Sequence, residues 1–378
     1  MFDEIASLAG EPERLFNRVA QSLVAAGELH RLFDLRLIEQ RRSLGLPLDR
    51  RTPIDDVEEP LRSQLEAGYL AACREVGELL LEAGRLREAW MYLRPAGDKL
   101  SLRKRLAHVA PDGEQADELI ELALYEAVDP ERGYAWLLGR NGTCNGITTL
   151  DGLSPQLSVD DQTACAAVLV RHVYGELRGN LRGHLNRLTG ETPGNLSVIE
   201  LITQHPELIA GGNYHLDASH LASAMRYARL LTDPSLVAKS LEMAEYGSHL
   251  PTDMQYPGDA PFEELYATHR LLFQATLGRE VDAALEYFSR RAHEPQDDRQ
   301  GAAAIETYLI LLARVGRAGE ALEEFAALAP KDRELSNYAP TLLELAEWSG
   351  RWDRYDEICR ERDDVLGFAA GTLARRRA

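Results

Sequence analysis

The feature that most constrains the fold of this chain is a helical turn that recurs along it. Leu312 to Arg317 and Leu345 to Arg351 each run from an apolar segment into a glycine-arginine pair, and the two pairs are 34 residues apart. Apolar residues on both sides recur at the three- and four-residue spacing of an amphipathic helix. A glycine between two such segments lets the chain reverse tightly, because glycine adopts the left-handed backbone conformation at little cost. The pattern predicts antiparallel helix pairs.

Related turns recur nearer the N-terminus. Gly84-Arg85 follows a long segment of helical periodicity, and Gly27 and Gly278 occupy comparable but looser positions. Residues 4 to 44 contain two helical segments separated by the turn at Gly27. We therefore expect an all-α protein without a β-sheet.

In these respects the chain resembles the tetratricopeptide repeat family, whose period is 34 residues. The resemblance covers 305 to 362 and about 70 to 95, with degenerate copies elsewhere, and small residues such as Ala321 suit the close helix packing of that family. The proline that closes each repeat appears only in part, at Pro95 and Pro330. The resemblance implies an α-solenoid of antiparallel helix pairs whose concave surface binds a protein or peptide.

Length and charge restrict the partners of this chain. Its 378 residues suffice for a large core, and 42 Lys and Arg against 61 Asp and Glu give a net charge of −19. Like charge opposes contact with nucleic acid or an anionic membrane, so we expect neither as the main partner. If the negative charge extends over the concave surface, the acidic groove favours a basic or amine-bearing protein or peptide.

Cysteine usage and the lack of export signals favour a cytoplasmic protein. The four cysteines lie far apart, which disfavours both a disulfide framework and a cysteine-based zinc site. The first residues lack the basic start and apolar run of a signal peptide. No apolar stretch approaches the roughly 20 residues that a membrane helix needs.

The repeat signal fades in the middle of the chain. Three stretches there lack helical periodicity, and they are Arg140 to Thr149, Gln204 to Asp217 and Pro251 to Pro261. Long loops within helical proteins are commonly functional. We therefore predict three parts, which are N-terminal helical repeats at 1–125, a central helical region with atypical loops at 126–300, and C-terminal repeat-like helix pairs at 301–378.

One central stretch, Asn213 to Leu221, holds two histidines and an aspartate where an irregular segment turns into a helix. Asp217 directly precedes the helical run and is most simply an N-cap, whose carboxylate accepts free backbone N–H groups. His215 and His220 bracket the same helix start and could turn toward one point. Imidazoles so placed can hold zinc or non-haem iron, with a carboxylate or thiolate as third ligand, although the spacing matches no established zinc motif.

Histidines concentrate in this central part. Seven of the ten lie between residues 172 and 269, namely His172, His184, His205, His215, His220, His249 and His269. His172 and Glu176 share one helix face a turn apart, so they either satisfy each other or serve a site. His269 lies on the apolar stripe of a helix that we expect to begin at Pro261, and a lone histidine there is more often a hydrogen-bonded core residue than a ligand. Cys144 could be a nucleophile with a histidine as base, or an inert buried thiol.

Two functions fit this sequence. The first is a cytoplasmic tetratricopeptide-like protein that binds a partner in an acidic groove. The alternative is a metal-dependent enzyme, using zinc or non-haem iron, whose pocket is built from the central cluster. In that enzyme the catalytic groups would be Cys144 and Tyr256, and the metal ligands would come from His215, Asp217, His220, His172, Glu176 and His269.

Overall fold

The computed structural model describes residues 2–48, 56–190, 194–295, 302–330 and 335–375. All regular secondary structure within these ranges is helical, and they contain no β-strand. The all-α prediction is therefore confirmed. No helix in these ranges is both long enough and apolar enough to cross a membrane.

The chain divides into two compact units, Met1–Trp136 and Leu137–Ala378. Helices in the first unit pack on their neighbours in sequence, α3 on α4 and α4 on α5. Their core includes the fully buried Leu32, Leu80 and Leu93. The helices of this unit are α1 (Phe2–Ser7), α2 (Pro12–Ala25), α3 (Leu29–Ser43), α4 (Leu61–Glu82), α5 (Leu86–Leu93), α6 (Lys99–Leu106) and α7 (Ala116–Ile120).

The second unit is organised around a 31-residue helix, α9 (Val159–Thr189). The shorter helices α10, α11 and α12 pack on α9, and later helices pack in neighbouring pairs. Helix α8 (Pro130–Leu153) begins in the first unit and ends in the second. The remaining helices are α10 (Val198–Gln204), α11 (Ala218–Ala228), α12 (Pro234–Ser248), α13 (Leu265–Thr276), α14 (Val281–His293), α15 (Ala303–Arg314), α16 (Ala318–Leu328), α17 (Leu342–Ser349), α18 (Trp352–Glu361) and α19 (Val365–Ala374).

The predicted glycine turns are present at all five positions. Gly27, Gly84, Gly278, Gly316 and Gly350 each end a helix with φ between 69° and 77°, the left-handed region that favours glycine. At the first four, the residue after the glycine donates to a carbonyl five residues earlier, as in a Schellman motif. The turns therefore satisfy carbonyls that a helix end would otherwise leave without a partner.

At two of the four turns with a glycine-arginine pair, the arginine links one hairpin to the one before it. Arg85 Nη1 donates to the carbonyl of Gly27 at 3.2 Å. Arg351 Nη1 donates to the carbonyl of Gly319 at 3.1 Å. At these two turns the glycine-arginine pair thus supplies both a tight turn and a hydrogen bond between hairpins.

Two local predictions were wrong. The stretch Arg140 to Thr149, predicted as a loop, belongs to α8, and only Gly142 (φ 76°, ψ 172°) leaves the helical conformation. Thr143 and Ile147 are buried at helical spacing there, and that burial outweighs the intrinsic cost of glycine in a helix, about 1 kcal/mol per residue. The helix predicted to begin at Pro261 begins at Leu265.

The three-part division of the chain stays a prediction. Its first boundary, at 125, lies near the division between the two units at Trp136. Its second boundary, at 300, falls within 296–301, outside the described residues.

The glycine turns can be tested by comparing two Gly→Ala substitutions in the second unit. Gly316→Ala forces an alanine into the left-handed region and should lower the free energy of unfolding by about 1–2 kcal/mol. Gly175 lies within α9, where a new β-carbon meets no atom within 4 Å. Gly175→Ala should therefore raise the free energy of unfolding by about 0.5–1 kcal/mol. Urea unfolding of both variants measures the difference. Equal effects at the two positions would contradict this account of the turn.

Candidate functional site

A cleft of about 670 Å³ lies within the second unit. Three segments line it, which are residues 141–144 of α8, residues 176–187 of α9, and residues 214–220 at the start of α11. We call it the His215 cleft.

The His215 cleft brings together most of the residues predicted for a central site. Cys144, Glu176, His215, Asp217 and His220 all line it. The other three predicted residues lie elsewhere, as described below. The sequence stretch around residue 215 therefore does border a cavity.

His215 is the most buried of the histidines that line the cleft, with 9% of its surface exposed. Its Nε2 lies 2.8 Å from Nδ1 of His184 on α9, and its Nδ1 lies 3.2 Å from the hydroxyl of Tyr246 on α12. The backbone N–H of His215 donates to the same hydroxyl at 2.8 Å, and Asn180 Nδ2 donates to its carbonyl at 2.7 Å. Two helices thus hold both the ring and the backbone of this residue.

The chain from His184 through His215 to Tyr246 has two consistent protonation patterns. In the first, His184 donates to His215 Nε2 and His215 Nδ1–H donates to Tyr246. In the second, Tyr246 donates to His215 Nδ1 and His215 Nε2–H donates to His184. Each pattern gives both ring nitrogens of His215 a hydrogen-bond partner.

Burial keeps this chain uncharged at His215 and Tyr246. Burial, with a smaller contribution from nearby His184 and Arg187, lowers the pKa of His215 to about 4. Burial also raises the pKa of Tyr246 to about 12. At neutral pH both side chains are therefore neutral, and they position the segment before α11.

Asp217 is the N-cap of α11, as predicted. Its Oδ1 accepts from the backbone N–H of Ser219 at 2.8 Å and from the hydroxyl of Ser219 at 2.6 Å. These hydrogen bonds lower the pKa of the Asp217 carboxyl. The Asp217 carboxylate therefore mainly caps the N-terminus of α11.

His172 and Glu176 both form hydrogen bonds with a third residue, Thr143. The hydroxyl of Thr143 lies 2.9 Å from His172 Nε2 and donates to Glu176 Oε2 at 2.8 Å. The direct distance from His172 Nε2 to Glu176 Oε1 is 3.5 Å. Because residues 140–149 are helical, Thr143 faces α9. The loop predicted for this stretch gave no reason to expect that contact.

His269 is a fully buried core residue outside the cleft. Its Nδ1 donates to the carbonyl of Leu265 at 2.5 Å, its Nε2 accepts from Arg229 Nε at 2.8 Å, and its ring stacks on Phe262 at 4.4 Å. Tyr256 is 48% exposed and also lies outside the cleft.

The six predicted metal ligands do not form one coordination group. Within the described ranges, no three His, Cys, Asp or Glu side chains lie close enough to hold a metal ion. Asp217 caps a helix, His172 and Glu176 share Thr143, and His269 binds Arg229 in the core.

Sequence reasoning did not select His184, Asn180 or Tyr246 as site residues. A signal was present for the first two, since His172, Glu176, Asn180 and His184 follow one another at four-residue spacing along α9. Tyr246 carried no local signal, because it meets His215 across 31 residues of sequence.

No protein-family model matches this chain, and no curated protein matches it significantly. Its function is therefore inferred from geometry and chemistry.

The burial of His215 predicts an acid-sensitive stability. Unfolded, this histidine titrates near 6.5, whereas in the folded chain its pKa is about 4. Between these values the unfolded chain binds more protons, so the free energy of unfolding should fall as pH drops below 6.5. His215 alone should account for about 2 kcal/mol between pH 7 and pH 5.

Urea unfolding at several pH values, compared with His215→Gln, measures this contribution. The variant should lose less stability than the natural protein between pH 7 and pH 5. The control His249→Gln, at an exposed position after α12, should keep the natural slope. A His215→Gln variant with an unchanged slope would show that His215 is not held neutral.

Proposed function

We propose that this chain is a cytoplasmic, tetratricopeptide-like helical-repeat protein, and that its His215 cleft binds a basic segment of a protein or peptide partner. The observation that carries the proposal is the cleft itself, whose wall is held by the His184, His215 and Tyr246 contacts. The five glycine turns support the helical-repeat part of the proposal. The cytoplasmic part is supported by the scattered cysteines of the sequence.

The surface of α9 inside the cleft suits an extended chain. Gly179 and Gly183 lie one helical turn apart and both line the cleft. A β-carbon added at Gly179 would meet no atom within 4 Å, so the helix surface there is open. Glycine allows a ligand backbone to approach closely, and the exposed amide of the neighbouring Asn180 can both donate and accept hydrogen bonds.

The charges of the cleft favour a basic partner. Glu176 and Asp217 contribute two carboxylates against one guanidinium, that of Arg187, while His215 is neutral at pH 7. The net charge of −19 for the whole chain adds to this attraction at long range. Tyr214, 58% exposed at the cleft, is of the residue type that most often anchors binding partners.

The alternative function is a zinc or iron enzyme, and one observation favours it. His184 Nδ1 and His215 Nε2 lie 2.8 Å apart, close enough for both to bind one ion. Protein metal sites use at least three ligands as a rule, and within the described ranges no third His, Cys, Asp or Glu joins this pair. Stoichiometric zinc or iron in untagged protein, lost on replacing both histidines by alanine, would favour the enzyme.

Binding can be tested with two glycine substitutions on the same helix. A library of random peptides is selected on the full-length protein, and affinities of the enriched peptides are measured by calorimetry. The enriched sequences should be rich in lysine and arginine. Gly179→Gln places a side chain inside the cleft and should weaken binding about tenfold or more, equivalent to about 1.4 kcal/mol.

Gly175→Gln is the matched control. It places the same side chain one turn earlier on α9, at an exposed position that does not line the cleft, and should leave affinity within about twofold. Equal weakening by both substitutions, or selection of acidic peptides, would refute binding in the His215 cleft.

A further inference from the structure

The second unit contains another cavity, of about 390 Å³, which shares no lining residue with the His215 cleft. Residues of α11, α13 and α15 line it, together with Ser336 and Tyr338. Two of its lining residues, Arg229 and Arg314, are arginines that are only partly exposed. We call it the Arg229 cavity.

Arg229 is held in place by neutral groups. Its Nε donates to His269 Nε2 at 2.8 Å, and its guanidinium lies 3.8 Å from the ring centre of Phe262. His269 accepts this bond while donating through Nδ1 to the carbonyl of Leu265, so its ring is neutral. Asp259 attracts Arg229 electrostatically but lies farther from it than ion-pair distance. The Nη1 and Nη2 groups of Arg229 make no hydrogen bond within the described part of the chain.

Arg314 is fixed in a similar way. Its Nη2 donates to the carbonyl of Arg229 at 2.6 Å. Its Nε and Nη1 groups make no hydrogen bond to any described residue, and no carboxylate of those residues lies within ion-pair distance. Burial lowers the pKa of both arginines to about 10, which still leaves them charged at neutral pH.

The two carboxylates that line the cavity are engaged with other groups. Asp151 Oδ1 accepts from the hydroxyl of Tyr227 at 2.7 Å, and its Oδ2 lies 3.8 Å from Arg226. Glu306 accepts from the backbone N–H of Ser336 at 2.8 Å and from its hydroxyl at 2.7 Å. Neither neutralises Arg229 or Arg314.

A partly buried cation without a counter-ion is unfavourable, because it has lost part of its hydration without gaining an opposite charge. An anion that enters the Arg229 cavity would supply that charge and accept from the unused N–H groups. Guanidinium groups suit planar carboxylates and phosphates, which they bind through paired hydrogen bonds. Leu230, Leu272 and Ile310 provide an apolar part of the wall.

We propose that the Arg229 cavity binds a small organic anion. Arg229 and Arg314 hold its carboxylate or phosphate group, and its apolar body lies against Leu230, Leu272 and Ile310. The cavity volume of about 390 Å³ falls within the range of small-molecule sites. This inference does not depend on peptide binding in the His215 cleft.

The test uses full-length protein with three probes of similar shape, which are phenylacetate, phenyl phosphate and the uncharged phenylacetamide. Melting curves and calorimetry at constant ionic strength measure binding. At least one of the two anions should raise Tm and bind at least about tenfold more tightly than the amide. The preferred anion identifies whether the headgroup is a carboxylate or a phosphate.

Three variants assign the effect to the cavity. Arg314→Met should weaken binding of the preferred anion about tenfold or more. Arg314→Lys keeps the charge but loses the paired donors, so it should weaken binding less than Arg314→Met. It replaces Arg314→Met as the test variant if Arg314→Met does not fold. Arg270→Gln removes an exposed arginine that pairs with Glu245 outside the cavity, and should bind like the natural protein.

Two results would overturn the inference. One is equal binding of the anions and the amide, or no binding of any probe. The other is an Arg314→Met variant that binds the preferred anion as tightly as the natural protein. If Arg314→Met does not fold, the equivalent result is an Arg314→Lys variant that binds as tightly as the natural protein.

Discussion

The second unit depends on the two faces of one helix, α9. Leu169, Val173, Leu177 and Leu181 recur every four residues along it and are fully buried. Because the helical period fixes the angle between positions, burying that stripe orients the polar positions beside it. Glu176 and Asn180 therefore face the cleft, and His184 meets His215. The apolar stripe thus determines both the packing of α10, α11 and α12 and the chemistry of the cleft wall.

Burial lowers the pKa of two histidines and two arginines of this unit, but the charge at neutral pH differs between the two residue types. His215 and His269 become neutral, because an imidazole loses its proton readily, and each ring finds hydrogen-bond partners. Arg229 and Arg314 remain charged, because a guanidinium keeps its proton even with a pKa near 10. Both ring nitrogens of His215 and of His269 accordingly have partners within the protein. The Arg229 cavity retains positive charge that a ligand could neutralise.

Contacts between residues close in sequence could be predicted from the sequence, whereas contacts between distant residues could not. The glycine turns and the Asp217 cap were predicted correctly, since a glycine conformation and a cap involve residues a few positions apart. The helix at 140–149 was missed because its glycines favour a loop locally, whereas burial of Thr143 and Ile147 acts through the tertiary fold. His184 and Tyr246, the side-chain partners of His215, lie 31 residues from it, and Arg229 lies 40 residues from His269, beyond the reach of local patterns.

Irregular segments, rather than the hairpins, carry His215 and Phe262 to their partners. A glycine turn joins two helices through about three residues, which leaves no free chain to carry a side chain elsewhere. The longer segment before α11 carries His215 to His184 and Tyr246, and the segment before α13 carries Phe262 onto His269 and Arg229. Each of these segments places an aromatic ring against at least one residue that is distant in sequence, His184 and Tyr246 for His215 and Arg229 for Phe262. The irregular segments between helices are thus what allows this unit to contain both the His215 cleft and the Arg229 cavity.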